Sequence, residues 1–297
     1  MTHADEGKIE LLSIALLDEH RQEVIELRKL ARSLRLEFGW HYLLDITWIL
    51  GELGPIQGKR IMDAGAGTGV LQWYLAQRGA EVISVDRLSR AALPLRFRTR
   101  FGVTGLRDQD LLPPTQALRA QWDNNPRWRA RLGAQAREVL GMAHLRQASG
   151  RVIIYNQDLR NLSDIADDSL DAVLALSALE HNQPQALEQV VGELMRVLKP
   201  GGSLIASLTA ARDQDWWHEP SSGWCYTDAS LRRLFHLPES THSNYAQFDR
   251  LLAELRDCAE LRDNLARFYF NSADNGMPLG KWDPQYIPVG VLKIKKA

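Results

Sequence analysis

The residues best placed to do chemistry are the run Asp63-Ala-Gly65-Ala-Gly67-Thr-Gly69, the later Asp86, and Ser177-Ala-Leu-Glu180-His181. Glycine at alternate positions lets a backbone turn sharply and approach a ligand with no Cβ between them. An acid like Asp86, closing a second strand, can accept hydrogen bonds from two ribose hydroxyls. The spacing is GxGxG rather than GxGxxG, and Asp63 opens the run. A loop built for pyrophosphate has little use for a carboxylate there, whereas a ligand with a cationic amino-acid tail does. His181 has a side chain whose ordinary pKa, about 6.5, suits it to take a proton from a hydroxyl nucleophile.

The elements that must hold these residues follow from periodicity. Residues 9–38 read as helical, and Trp40 to Leu53 form a second apolar segment closed by Gly54-Pro55. Residues 59–63 read as a strand leading into the glycine run. Val70 to Arg78 is an amphipathic helix stopped by Gly79, and residues 80–85 are a second strand ending at Asp86. Residues 151–155, 170–176 and 203–208 are three further strands, with a helix from Pro184 to Leu198 before the last of them. Residues 266–270 and 288–294 are expected late strands. This alternation predicts an α/β protein with a mainly parallel sheet. Residues 87–150 and 209–265 are longer than crossovers require, and both are expected to be helical insertions beside the carboxyl ends of the strands.

At these positions the chain resembles the class I S-adenosylmethionine-dependent methyltransferases, strongly over residues 55–210 and by topology elsewhere. Asp63 to Gly69 matches the family's glycine-rich motif, Asp86 its ribose-binding acid, and Asp158-Leu159 the acid that contacts the adenine amine. Leu170 to His181 matches the fourth strand with its following loop, and Leu198-Lys-Pro-Gly-Gly202 the turn before the fifth. The resemblance implies a Rossmann-like, seven-stranded, mainly parallel sheet flanked by helices. It implies an N-terminal helical region over 1–54 and a methyltransferase domain over 55–297. It also implies S-adenosyl-L-methionine as cofactor, held by Asp63, Gly65, Ala66, Gly67, Gly69, Asp86, Arg87, Asp158, Leu159, Leu176 and Ser177. Two roles stay open for His181: catalytic base, or a residue that only shapes the loop or touches the cofactor.

Composition sets outer limits. The 297 residues carry 36 Lys and Arg against 37 Asp and Glu, a formal net charge of −1. That balance hides an asymmetry, because residues 87–151 hold 13 Arg, no Lys and four acids, leaving the segment at +9 and the remainder at −10. Solvated helix faces and ion pairs are the expected explanation, with an anionic partner surface as the alternative. In Arg127-Trp-Arg129-Ala-Arg131 the charges spread over more than one helix face, which weakens a nucleic-acid reading. Trp40-His41-Tyr42 could cover the cofactor or pack as a helix face. Asp215-Trp-Trp-His218 could line a substrate pocket or anchor the insertion to the sheet.

Cys225 and Cys258 stand in no ligand spacing, so neither a disulfide framework nor a thiolate zinc site is expected. No carboxylate cluster marks the ends of the fourth and fifth strands, and no metal is expected. No apolar run approaches the length of a membrane span. The N-terminus, with Asp5, Glu6 and Glu10, lacks the basic start of a signal peptide, so a cytoplasmic location is expected. The leading expectation is methyl transfer to a small molecule at oxygen. Nucleic-acid methylation through the Arg-rich insertion and a non-catalytic cofactor-binding scaffold are the alternatives. Oligomeric state is not legible.

Overall fold

A computed structural model describes residues 7–36, 39–123, 133, 138, 148–264, 277 and 281–296. Its centre is a run of parallel strands made from largely buried, mainly apolar segments: β2 (Arg60–Ala64), β3 (Glu81–Asp86), β5 (Arg151–Asn156), β6 (Leu170–Leu176) and β7 (Leu198–Ala210). Strands buried on both faces read as continuous hydrophobic runs, and Val82, Ile83, Val85, Val173, Leu174 and Ala175 are all sealed from solvent. Met62 sits opposite Ile83 on one side and Val173 on the other, which places β2 at the middle.

The chain runs outward from β2 through β3 to β5, then returns to the other side of β2 for β6 and β7. This reversal puts a topological switch point between β2 and β6, where open α/β sheets leave a crevice outside their carboxyl ends. The helix α4 (Leu71–Gln77) links β2 to β3, and α7 (Pro184–Val197) links β6 to β7 with Pro184 at its first turn. The strands β2, β3, β5 and β6 and the helices α4 and α7 stand within a residue or two of the limits expected from sequence.

Three expectations are corrected. Residues 9–38 are not one helix. They begin with β1 (Gly7–Leu11) and only then turn into α1 (Leu16–Glu19) and α2 (Arg21–Leu34). Lys8-Ile9-Glu10-Leu11 alternates, burying Ile9 and Leu11 against β11 (Ile287–Ile294), and this period of two outweighs the helical reading. Among the described residues the sheet has eleven strands rather than seven, in the order β10 (His242–Ser243), β1, β11, β7, β6, β2, β3, β5 and β4 (Thr104–Gly105), with β8 (Trp216–His218) joined through β9 (Gly223–Tyr226) to β7. The additions are β1 and short edge pieces, among them β4 (Thr104–Gly105) and β10 (His242–Ser243), too brief to show a sequence period. The expected strand over 266–270 lies outside the described residues.

The third correction concerns the insertion over 209–265, which opens as a β-ribbon of β8 (Trp216–His218) and β9 (Gly223–Tyr226) before its helices α8 (Asp228–Leu234), α9 (Phe248–Arg256) and α10 (Ala259–Asp263). Trp217 and Trp224 face each other across the ribbon with ring centroids 5.7 Å apart, a cross-strand aromatic pair that favours a hairpin over a helix. Residues 87–150 hold α5 (Leu95–Phe101) and α6 (Pro114–Asp123) among their described parts.

Trp40 to Leu53 yields α3 (Tyr42–Leu53), buried on almost every side. The ring of Trp48 lies against Gly290 of β11, where a Cβ would stand 2.5 Å from the indole. Its Nε1 donates to Glu10 of β1 at 2.8 Å. One side chain thus fixes α3 to both strands that extend the sheet.

Candidate active site

The glycine run turns out of β2 at the switch point. Gly65 (φ +76°) and Gly67 (φ +49°) both occupy the left-handed region, open to glycine at little cost. The amides of Gly65 and Ala66 donate to the Val85 carbonyl at 2.9 and 3.0 Å, which folds the loop onto the end of β3. Gly65 also approaches the loop after β6 so closely that a Cβ would lie 2.4 Å from that of Ala178. Asp86 accepts from the amides of Gly67 and Leu88, each at 2.8 Å, and so clamps the glycine loop to its own turn.

These loops enclose a cleft of about 460 Å³. Of the residues expected to hold a cofactor, Gly65, Asp86, Arg87, Asp158, Leu159 and Ser177 line it, together with His181, Tyr42 and Arg160. Asp158 is forked by Arg160 at 2.9 and 2.7 Å, an ion pair that holds its carboxyl below the ordinary range. Ala66, Gly67 and Gly69 form the turn itself, where the Gly69 amide donates to Ala66 O at 2.9 Å. Leu176 ends β6 and is buried. Asp63 lies beneath the loop, off the cleft surface, and burial pushes its carboxyl up to about 7 even though Arg90 pulls the other way.

Sequence reasoning missed Arg90, which it counted among solvated charges. Its guanidinium is buried under the cleft and donates to Ser84 Oγ, to Ser84 O at 2.6 Å and to Gly67 O at 3.3 Å. Asp86, Asp63 and Asp110 are the carboxyl groups whose charges act on it, against the burial that lowers its basicity. No sequence pattern marks a lone arginine as buried. Other arginines of the segment are also engaged internally: Arg98 donates to the carbonyls of Leu93, Leu112 and Ala91, Arg107 pairs with Asp110, Arg96 with Glu138, and Arg151 with Glu81. Arg127, Arg129 and Arg131 lie outside the described residues.

A second cavity, about 350 Å³, adjoins the cleft and shares Tyr42, Ser177 and His181 with it. Its far wall is His41, Glu180, Thr209 and Tyr286, closed by Pro220-Ser221-Ser222 from the turn of the β8–β9 ribbon. Trp216, Trp217 and His218 are not on this surface, so the tryptophans anchor the ribbon and its turn reaches the cavity. Nδ1 of His181 stands 2.8 Å from the carbonyl of Ser222. His41 and Asp45, both buried, meet at 2.5 Å. Glu180 is buried too; its Oε1 accepts from Ser177 at 2.6 Å and its Oε2 has no partner. Among the described residues no three His, Cys, Asp or Glu side chains gather as a metal cluster, and no helix is long and apolar enough to cross a membrane.

Comparison with known proteins adds the family. A model described as a methyltransferase domain matches residues 132–206, which take in β5, β6, α7 and the start of β7. Over that stretch the chain is similar to methyltransferase domains, in keeping with the resemblance carried by its glycine run. The glycine run lies outside that match, so the two signals are independent. Among curated members, the chain is similar to a ubiquinone biosynthesis O-methyltransferase of Alkalilimnicola ehrlichii, 29% identical over 55% of this chain and 47% of that protein. It is also similar to a protein of the same name from Azoarcus, 48% identical over 17% of this chain and 21% of that one. The chain thus spans about half the length, or less, of these relatives. Among solved structures, the phosphoethanolamine N-methyltransferase 2 of Haemonchus contortus aligns with TM-score 0.48 at 14% identity, covering 95% of this chain and 59% of that one.

Proposed function

We propose that this methyltransferase moves a methyl group from S-adenosylmethionine to an oxygen of a small molecule, with His181 taking the acceptor's proton. The observation that carries this reading is the junction of the two cavities at Tyr42, Ser177 and His181. A methyl donor lodged in the cleft and an acceptor lodged in the second cavity would meet there.

The cleft suits an adenosyl amino acid. Gly65 leaves no Cβ in the way, and Asp86 keeps lone pairs for ribose hydroxyls beyond those given to the two amides. Asp63, held near neutrality by burial, gains a counter-charge from a cationic tail. The bound cofactor supplies a methyl group already activated on a sulfonium. What remains for the chain is to hold the acceptor oxygen in line at about 3–3.5 Å and to receive its proton. The Ser222 carbonyl can only accept, so Nδ1 of His181 carries the hydrogen and Nε2 offers a lone pair. Arg96, Arg98, Arg107 and Arg151 are engaged within the protein and so are not free for a nucleic-acid backbone, and the names of the curated relatives favour oxygen over nitrogen.

Calorimetry with S-adenosylmethionine and S-adenosylhomocysteine tests the cofactor, and failure of both to bind at millimolar concentration removes the proposal. With a phenol as acceptor and product read by mass spectrometry, His181→Ala lowers turnover by about 100-fold or more while leaving cofactor affinity in place. Turnover within a few-fold of wild type ends the base role.

A further inference from the structure

The polar groups around the second cavity are unbalanced in a way that specifies its occupant. Its hydroxyl protons are largely engaged within the protein. Ser177 donates to Glu180, Thr209 to the carbonyl of Trp224 at 2.7 Å, Ser222 to that of Glu219 at 3.4 Å, and Ser221 is held by His218 at 2.7 Å. The backbone amides of the wall are engaged as well: Ser177 N donates to Ser207 O, Ser222 N to Glu219 O, and Ser221 N to the His218 ring. The phenols of Tyr42 and Tyr286 complete the hydroxyls of the wall, the first in a hydrogen bond with Ser177 and the second beside Trp40. No lysine or arginine lines the cavity.

Acceptors remain in excess. Nε2 of His181 is one, and Oε2 of Glu180 is the other, on a side chain 1% exposed. A buried polar atom without a partner costs free energy, and a carboxylate oxygen so placed is satisfied best by a charged or strong donor. Burial raises the Glu180 carboxyl, His181, Ser177 and His41 oppose that rise, and a donor set against Oε2 would oppose it further, favouring the carboxylate form that accepts. Asp45, behind His41, adds a second buried carboxyl to the same side.

We propose that the second cavity is the acceptor site, and that Glu180 selects acceptors bearing a hydrogen-bond donor, hydroxyl or ammonium, next to the reacting oxygen while rejecting anionic ones. This rests on the methyltransferase reading above. In the reaction, the acceptor O–H gives its proton to Nε2 of His181. The oxygen's electron pair forms the new O–C bond, and the methyl–sulfur bond breaks with its pair returning to the sulfonium sulfur. Glu180 undergoes no net change; its Oε2 holds the neighbouring donor and so fixes which oxygen points at the methyl group.

The test uses three ring compounds with one phenol in common: 2-(aminomethyl)phenol, benzene-1,2-diol and 2-hydroxybenzoate. Each is titrated calorimetrically into protein saturated with S-adenosylhomocysteine, and methylation with S-adenosylmethionine is read by mass spectrometry. The first two are expected to bind at least about 10-fold more tightly than 2-hydroxybenzoate, as one charge-assisted hydrogen bond gained or lost would give. The aminomethyl compound outranking the diol assigns the donor as ammonium, and the reverse order assigns it as hydroxyl. In Glu180→Gln the advantage over the anion shrinks to within about 3-fold, and wild-type affinity for S-adenosylhomocysteine shows that the fold is kept. Should that variant not fold, the wild-type ranking decides alone. Preference for 2-hydroxybenzoate, equal affinities, or no binding of either donor-bearing probe overturns the assignment. If wild-type protein fails to bind S-adenosylhomocysteine at all, it is the methyltransferase reading that falls.

Discussion

Asp63 is the residue whose chemistry is most altered by its surroundings. Its carboxyl titrates at about 7 rather than 3.8 because burial disfavours the charged form more than Arg90 favours it. The raised value makes stability depend on pH with a definite sign. Below about pH 4 both folded and unfolded chains keep the proton and there is no penalty. As pH rises from there to about 7, the unfolded chain ionises first and folding loses free energy. Asp63→Asn is therefore expected to raise the melting temperature at pH 8 and to leave it nearly unchanged at pH 4, while weakening S-adenosylmethionine binding. Thermal unfolding of both proteins across that range is the check, and parallel curves would show that Asp63 is ionised throughout. The sequence revealed Asp63 as unusual because a carboxylate before a glycine run has no structural need. It could not reveal Arg90 or the free oxygen of Glu180, since burial and partner choice depend on loops that meet only in three dimensions.

At the level of elements, the glycine loop and the loop after β6 work as one unit. Gly65 combines a positive φ with a Cβ position 2.4 Å from Ala178. Gly65→Ala is thus expected to push the two loops apart, lowering the melting temperature and abolishing S-adenosylhomocysteine binding; calorimetry showing affinity within a few-fold of wild type would mean that the loops yield without consequence. The parallel strands and α4 were legible because each is short, apolar and bounded by glycine or proline. The β8–β9 ribbon was not, since its aromatic residues suit a helix face and a strand pair equally. The choice between them lies in cross-strand contacts that single-chain periodicity does not record. The second cavity inherits that difficulty, because its closing residues Pro220 to Ser222 are the ribbon's turn.

For the molecule as a whole, the near-neutral net charge of −1 gave no sign of the positive segment, of which Arg151 is paired with Glu81 outside it and Arg107 reaches Asp164. Overall α/β class and the place of the cleft follow from strand order alone. What composition and motif left unseen is how residues before 55 join the sheet. Ile9 of β1 pairs with Val291 of β11, and Trp48 of α3 seals both. Time enters here. During synthesis β1 is made long before its antiparallel partner β11, so the chain between them must be finished before that pairing can form. Contacts so distant in sequence are slow to close. Pulse-labelled hydrogen exchange during refolding should find the amides of Ile9 and Leu11 protected after those of Ile61 and Ile83, and the opposite order would show that the N-terminal strand docks without β11. Until then Ile9 and Leu11, sealed in the finished sheet, lack the strand that covers them, and their apolar side chains are open to whatever else the unfinished chain meets.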